Sequence, residues 1–137
     1  MKGKVKEGGG KMKISHVAIW TRDLEVMRDF YCTYFHGMAN EKYVNERKGF
    51  ESYFLRLDGE TSIELMRRVD ITGVPAAGAT GYAHIAFDAG SKEAVDNMTA
   101  RLAASGLTHI DGPRTTGDGY YESVFLDPEG NMIEITC

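Results

Sequence analysis

The chain has 137 residues, of which 42% are hydrophobic and 26% are charged, and its net charge is −4. This composition predicts one compact domain, and it contains neither the basic-aromatic clusters of nucleic-acid binding nor an apolar run of the ~18 residues that span a membrane. The start lacks the apolar core of a signal peptide, and Cys32 and Cys137 lie outside any CxxC motif. Together these features favour a cytoplasmic protein with free thiols.

The first predicted module covers residues 14–67 and follows a flexible tail at 1–13. It opens with a strand at 14–20 and a helix at 23–36, for which Asp23 is the predicted N-cap and Gly37 the stop. Apolar residues recur along this helix at i, i+3 and i+4 spacing, at Leu24, Met27, Phe30, Tyr31 and Tyr34. Three strands follow, at 40–46, 50–57 and 61–67, and Asp58-Gly59 predicts a tight hairpin between the last two.

The second predicted module covers residues 81–137, after a Gly-, Ala- and Pro-rich linker at 68–80. It has the same order of elements, a strand at 82–88, a helix at 91–105 and three more strands. Ser91 is the predicted cap of the helix and Gly106 its stop. The final strands are predicted at 107–111, 119–126 and 131–136.

The two modules are copies of one βαβββ unit. ISHVAIW matches YAHIAFD, and ESYFLRLDGETSIEL matches ESVFLDPEGNMIEI with one residue deleted in the turn. His16 precedes Glu64 by 48 positions, and His84 precedes Glu134 by 50. Blocks repeated in the same order at similar spacing predict a duplicated α+β fold.

Strand alternation places these two histidines and two glutamates on the same side of the sheet. In each strand the aliphatic residues point to one face, which the helices cover, so His16, Glu64, His84 and Glu134 point to the other. Carboxylates in a partly enclosed site are costly unless paired or metal-bound. Two imidazoles and two carboxylates would neutralise one divalent ion and suit Zn, Ni, Co, Mn or Fe. Solvated glutamates and locally bonded histidines are the alternative interpretation.

The motifs HVAIWTRDLEVMRDFY, SIEL, GYAHIAF and DPEGNMIEI resemble the vicinal oxygen chelate superfamily, and glyoxalase I in particular, over residues 14–136. The resemblance implies two βαβββ modules that form a cupped mixed sheet around a divalent metal, with the helices on the outer face. It implies His16, Glu64, His84 and Glu134 as the ligands. A homodimer is expected because open concave sheets leave strand edges and apolar surface to cover, and the resemblance implies that each site is built from one chain or shared between two.

Two positions depart from the glyoxalase I pattern. Trp20 stands where an arginine commonly contacts glutathione, and Arg68 stands where an asparagine is common. The expected substrate is therefore a small oxygen-rich molecule rather than the usual glutathione adduct. Trp20, Arg114 and Tyr120 are the candidate substrate-binding residues, although Arg114 also fits a solvated loop and Tyr120 a plain strand residue.

The resemblance implies a metal-dependent lyase or isomerase that stabilises an enediolate-like charge. Glu134 is the candidate catalytic base and Glu64 the other. An oxygenase of the same fold is a rival, but it usually uses only one carboxylate. An acyl-CoA epimerase and a non-catalytic protein that binds a small molecule or a metal are the remaining alternatives.

Overall fold

The first module forms a five-stranded sheet with one helix packed on it. The structure is a computed structural model that describes residues 10–137, so residues 1–9 of the predicted tail lie outside the described residues. The module contains β1 (His16–Trp20), α1 (Leu24–Phe35), β2 (Met38–Ala39), β3 (Tyr43–Asn45), a 3-10 turn (Glu46–Lys48), β4 (Phe50–Arg56) and β5 (Ser62–Arg68). The strands lie in the order β1-β5-β4-β2, β3 also pairs with β4, and β1 runs parallel to β5.

The second module repeats this arrangement with four strands. It contains β6 (His84–Asp88), α2 (Lys92–Ala104), β7 (His109–Thr115), β8 (Tyr121–Leu126) and β9 (Met132–Thr136). Their order in the sheet is β6-β9-β8-β7, and β6 runs parallel to β9. The predicted α+β class with two βαβββ modules is confirmed, and within one chain the strands form two separate sheets.

The helix boundaries follow the capping residues. Asp23 accepts a hydrogen bond from the backbone N–H of Val26, and Ser91 accepts one from Ala94, both at 3.1 Å, as their N-cap positions predict. The predicted stop at Gly37 is one residue late, because His36 itself adopts the left-handed conformation at φ 59°. Histidine is one of the non-glycine residues that more often adopt this conformation, and the His36 imidazole lies 3.2 Å from Asp58.

Each helix covers the aliphatic face of its own sheet. Met27 and Tyr31 of α1 and Leu55 and Leu65 of the first sheet are all fully buried, within one hydrophobic core. In the second module Val95 and Leu102 of α2 are buried with Phe125, Ile133 and Ile135. The opposite face of each sheet is the inner face, and the register assigns both the histidines and the glutamates to it.

The register of the hairpins corrects the alignment of the two copies. Phe54 pairs with Glu64 in the first module, and Val124 pairs with Glu134 in the second. Ten positions separate the partners in both cases, so the two hairpins have the same length and the predicted one-residue deletion is wrong. In the structure, the segment ESVF of β8 is therefore displaced by one position relative to ESYF of β4. A residue of β8 that the sequence alignment matched to β4 thus lies on the opposite face of its sheet.

The two modules of the chain meet along a seam formed by α1 and the second sheet. The hydroxyl of the buried Tyr31 donates to Asp127 at 2.7 Å, and Phe35 lies against Phe87 with ring centroids 4.0 Å apart. Glu129 accepts hydrogen bonds from the backbone N–H groups of Arg22 and Asp23. Asp127 is only 3% exposed, and its carboxylate accepts from the Tyr31 hydroxyl across the seam and from Glu129 and Asn131 within its own turn.

Tyr31→Phe is expected to lower the free energy of unfolding by about 1–2 kcal/mol at neutral pH, because it removes a buried hydrogen bond to a charged group. Burial, and then Asp127, raise the pKa of Tyr31 well above its ordinary value of 10.0. The stability that the hydroxyl contributes is therefore fully present below pH 10 and is lost as the pH rises beyond it. Denaturant titrations at pH 7 and above pH 10 would measure this difference.

Tyr34→Phe on the same helix is the matched control and should change stability by less than ~0.5 kcal/mol. Equal effects of the two substitutions would contradict the stabilising role of the bond between Tyr31 and Asp127.

No helix in the described part of the chain is long and apolar enough to cross a membrane.

Candidate metal centre

The first pair of predicted ligands lies on the inner face of the five-stranded sheet. His16 begins β1, and Glu64 lies beside Ala18 on the neighbouring strand β5. The Nε2 atom of His16 is 3.9 Å from Oε1 of Glu64. The Phe54 ring on β4 packs against the His16 ring, with centroids 5.3 Å apart and an interplanar angle of 75°.

The second pair repeats this geometry on the four-stranded sheet. His84 begins β6, and Glu134 lies beside Ala86 on β9. The Nε2 atom of His84 is 3.3 Å from Oε2 of Glu134. Adjacent ligands of an octahedral ion at ~2.1 Å lie ~3.0 Å apart, so a small rotation of each side chain would bring both donors of a pair onto one ion.

The two pairs do not meet within one chain. Among residues 10–137 no group of three or more His, Cys, Asp or Glu side chains lies close enough to hold a metal ion. A single chain therefore presents two half-sites of two donors each, one on each sheet. Four donors would come together only where two half-sites face each other, an arrangement that the described residues of one chain do not form.

The chemistry of each half-site fits a divalent cation. The side chains of Glu64 and Glu134 are only 18% and 15% exposed, whereas their histidines remain 42% and 37% exposed. No Lys or Arg of the described residues lies within 4.0 Å of either carboxylate, whereas the Nε2 atom of the paired histidine does in both half-sites. Mostly buried carboxylates without a cationic partner are stabilised by a bound cation.

Glu122 is a further carboxylate of this region that the sequence analysis did not single out. It lies on β8 and pairs with Thr136. Val124, two positions later on β8, pairs with Glu134, so Glu122 and Glu134 share the inner face. Burial raises its pKa, and the neighbouring carboxyl of Glu134 raises it further. Strand alternation along β8 could have identified it, but the displaced repeat alignment matched it to Glu51 on the other face of the first sheet.

Arg114 reaches the inner face through an irregularity in β7. The strand shifts register between Asp111 and Arg114, which places Arg114 opposite Glu122. Gly112 sits in this bulge at φ 83°, where a Cβ atom would collide with the backbone of Glu122. The Arg114 guanidinium donates to Asp111 at 2.6 Å, and this contact lowers the pKa of the Asp111 carboxyl.

The two neighbouring tyrosines lie in different environments. Tyr120 precedes β8 and is 53% exposed, so it is available as a candidate substrate contact. Tyr121 points to the helix-covered face instead, where its hydroxyl bonds to Asp96 at 2.5 Å.

Trp20 lies on the inner face of the first sheet, beside Met66 and two residues from Ala18. Its indole is covered on one side by the guanidinium of Arg68, whose Cζ is 5.0 Å from the ring centroid. Arg68 also donates two hydrogen bonds to Asp70, at 2.5 and 3.1 Å. The two residues that depart from the glyoxalase I pattern thus form one stacked unit, whose positive charge is balanced by Asp70.

A family model of the Glyoxalase/Bleomycin resistance protein/Dioxygenase superfamily matches residues 13–135. No match was found among curated protein sequences. Several solved structures share the fold. A glyoxylase/bleomycin resistance protein/dioxygenase domain from Frankia sp. is 20% identical with a TM-score of 0.80, covering 93% of this chain and 92% of its own.

Two further structures have more specific names. The trypanothione-dependent glyoxalase I of Leishmania major is 21% identical, with a TM-score of 0.74 over 91% of this chain and 86% of its own. The fosfomycin resistance protein FosX of Listeria monocytogenes, solved with Mn(II) and sulfate, is 20% identical, with a TM-score of 0.71 over 93% of each chain.

Proposed function

Because the chain belongs to the Glyoxalase/Bleomycin resistance protein/Dioxygenase superfamily, we propose that it is a metal-dependent lyase or isomerase of the glyoxalase I type. Its substrate would be a small molecule with adjacent oxygen atoms. The observation that carries this proposal is the pair of equivalent histidine–glutamate half-sites, each with a mostly buried carboxylate that has no Lys or Arg partner among the described residues. Two carboxylates per site also favour this reaction class over an oxygenase with three open positions.

The proposed centre would be held by His16 and Glu64 of one chain together with His84 and Glu134 of another. A divalent ion bound there would polarise the adjacent oxygens of the substrate and stabilise the negative charge that develops on them. Glu134 would accept a proton from the substrate carbon and return it to the neighbouring carbon. Glu64 is the alternative base, since it occupies the equivalent position on the other sheet.

We expect about one divalent ion per chain after reloading with Ni, Co, Zn, Mn or Fe, and little metal in His84→Ala. Elemental analysis of chelator-treated, reloaded and dialysed protein would measure the content. His36→Ala is the matched control, because His36 is exposed and bonded to Asp58 away from both half-sites. Full metal occupancy in His84→Ala would refute the assigned ligand set.

A substrate screen of the loaded protein then separates an enzyme from a protein that only binds its ligand.

A homodimer is expected at micromolar concentration, because each half-site needs a complement that its own chain does not bring to it. The free edges of β1 and β6 and the exposed inner faces supply the surface for such contact. Light scattering coupled to size-exclusion chromatography would measure the mass. A monomer that nevertheless binds one ion per chain with all four ligands would contradict the shared centre.

A further inference from the structure

Beside the first half-site, the inner face carries an aromatic strip formed by Trp20, Phe50 and Tyr43. Phe50 packs edge-on against Trp20 with centroids 6.3 Å apart, and Tyr43 packs against Phe50 at 6.1 Å. Tyr43 pairs with Ser52, and Ser52 with Met66, the strand neighbour of Trp20. The strip therefore crosses four strands on the same face as His16 and Glu64.

The strip lies within reach of a molecule bound at the half-site. Glu64 lies beside Ala18, and Trp20 follows two residues later on the same face, which corresponds to ~7 Å along a strand. Trp20 is 40% exposed and Tyr43 is 53% exposed, so part of each ring is free for contact. A six-membered ring attached to the oxygen-bearing carbons of a substrate spans this distance.

Charge on this part of the face is balanced locally. Arg68 lies next to the strip, and Asp70 binds its guanidinium through two hydrogen bonds. The same guanidinium covers one face of the Trp20 ring. A substrate carboxylate at this end would have to compete with Asp70, whereas an uncharged ring can pack on the exposed aromatic surface without breaking any bond.

We infer that the site takes a substrate in which an uncharged aryl group is attached to the adjacent oxygen-bearing carbons, and that this ring packs on the aromatic strip. The inference rests on the proposed function, since the strip is useful to a substrate only if the oxygens bind at the neighbouring half-site. Trp20 is then a specificity-determining residue, and Arg68 holds its ring in place.

Two hydroxamates that differ only in carrying a phenyl or a methyl group test the inference by binding alone, with no reaction required. Benzohydroxamate and acetohydroxamate both offer two adjacent oxygens to a metal ion, and their binding to metal-loaded protein can be measured by calorimetry. Trp20 is the only tryptophan of the chain, so its fluorescence gives a second readout at the proposed contact. We expect benzohydroxamate to bind at least ~10-fold more tightly and to change the Trp20 emission.

Trp20→Leu should reduce this preference to within ~3-fold, because it removes the ring but keeps an apolar side chain. Tyr34→Leu is the matched control, since Tyr34 also lies under an arginine, Arg101, at 5.2 Å, but on helix α1. It should leave the preference unchanged. A benzohydroxamate with a carboxylate on its ring should bind no more tightly than the parent, and Asp70→Asn should strengthen its binding by releasing Arg68.

Equal affinity of the two hydroxamates for metal-loaded protein, or an unchanged preference in Trp20→Leu, would overturn the inference and leave the proposed function standing. Protein that takes up no metal under elemental analysis would overturn the proposed function, and the inference with it. The two failures are therefore distinguished before any affinity is compared.

Discussion

Mixing a His16→Ala chain with a His84→Ala chain is expected to restore metal binding that neither variant has alone. Each variant lacks one ligand in both sites of its own homodimer. Loss of a residue that only supports a ligand weakens metal binding by up to ~100-fold. Loss of the ligand itself should therefore weaken it by at least this factor. In a mixed dimer, His16 of the second chain and His84 of the first belong to the same site. One site per mixed dimer is then complete, and the other lacks both histidines.

Random exchange makes about half of the dimers mixed, so the expected content is on the order of 0.25 ion per chain. The chains are mixed in denaturant, refolded together, reloaded and analysed, with each variant refolded alone as the control. A mixture of His16→Ala with Glu64→Gln is the matched negative control, since both changes damage the same half-site and no complete site can form. Recovery in that mixture, or none in the first, would contradict a centre shared between chains.

Activity on the hemithioacetal of methylglyoxal and glutathione is expected to be at least ~100-fold below a specificity constant of ~10⁶ M⁻¹s⁻¹. Glutathione carries two carboxylates, and each donor missing opposite a buried carboxylate costs about 1–3 kcal/mol. Trp20 offers a single uncharged N–H donor where an arginine would offer a charged fork. Arg68 could have compensated, but it is bonded to Asp70 and stacked on Trp20.

Steady-state assays with the nickel, cobalt and zinc forms would measure this constant. Trp20→Arg is expected to raise it about tenfold by supplying a donor, whereas Trp20→Leu should not raise it. A wild-type constant near ~10⁶ M⁻¹s⁻¹ or above would show that the two departures do not exclude glutathione.

Local rules predicted both helices and the sheet face of each candidate ligand, whereas the predicted strand at 40–46 is divided into β2 and β3 and the one predicted at 107–111 lies at His109–Thr115. The capping residues Asp23 and Ser91 defined the starts of both helices, since an N-cap is satisfied within a few residues of itself. The alternation of side chains along each strand assigned His16 and His84 to the inner faces. This rule is also local, because successive side chains of a strand point to opposite faces of the sheet.

Contacts between residues that lie far apart in the chain could not be predicted from the sequence. The relation between the two sheets depends on the seam at Tyr31 and Asp127, which are 96 positions apart, so the separation of the half-sites could not be predicted from spacing. Glu122 was missed because identical letters suggested an alignment that the hairpin register contradicts. The pairing of Arg68 with Asp70 depends on how the chain turns after β5, which the linker composition does not determine.

A metal centre shared between the half-sites of two chains, as proposed above, would make metal occupancy depend on protein concentration. If an ion spans two chains, its binding and chain association form one thermodynamic cycle, so each strengthens the other by the same factor. Dilution to nanomolar concentration would then release metal even at constant free ion, and chelators would dissociate the dimer. A cell would thus set the fraction of competent sites by how much of the protein it makes, as well as by its supply of metal.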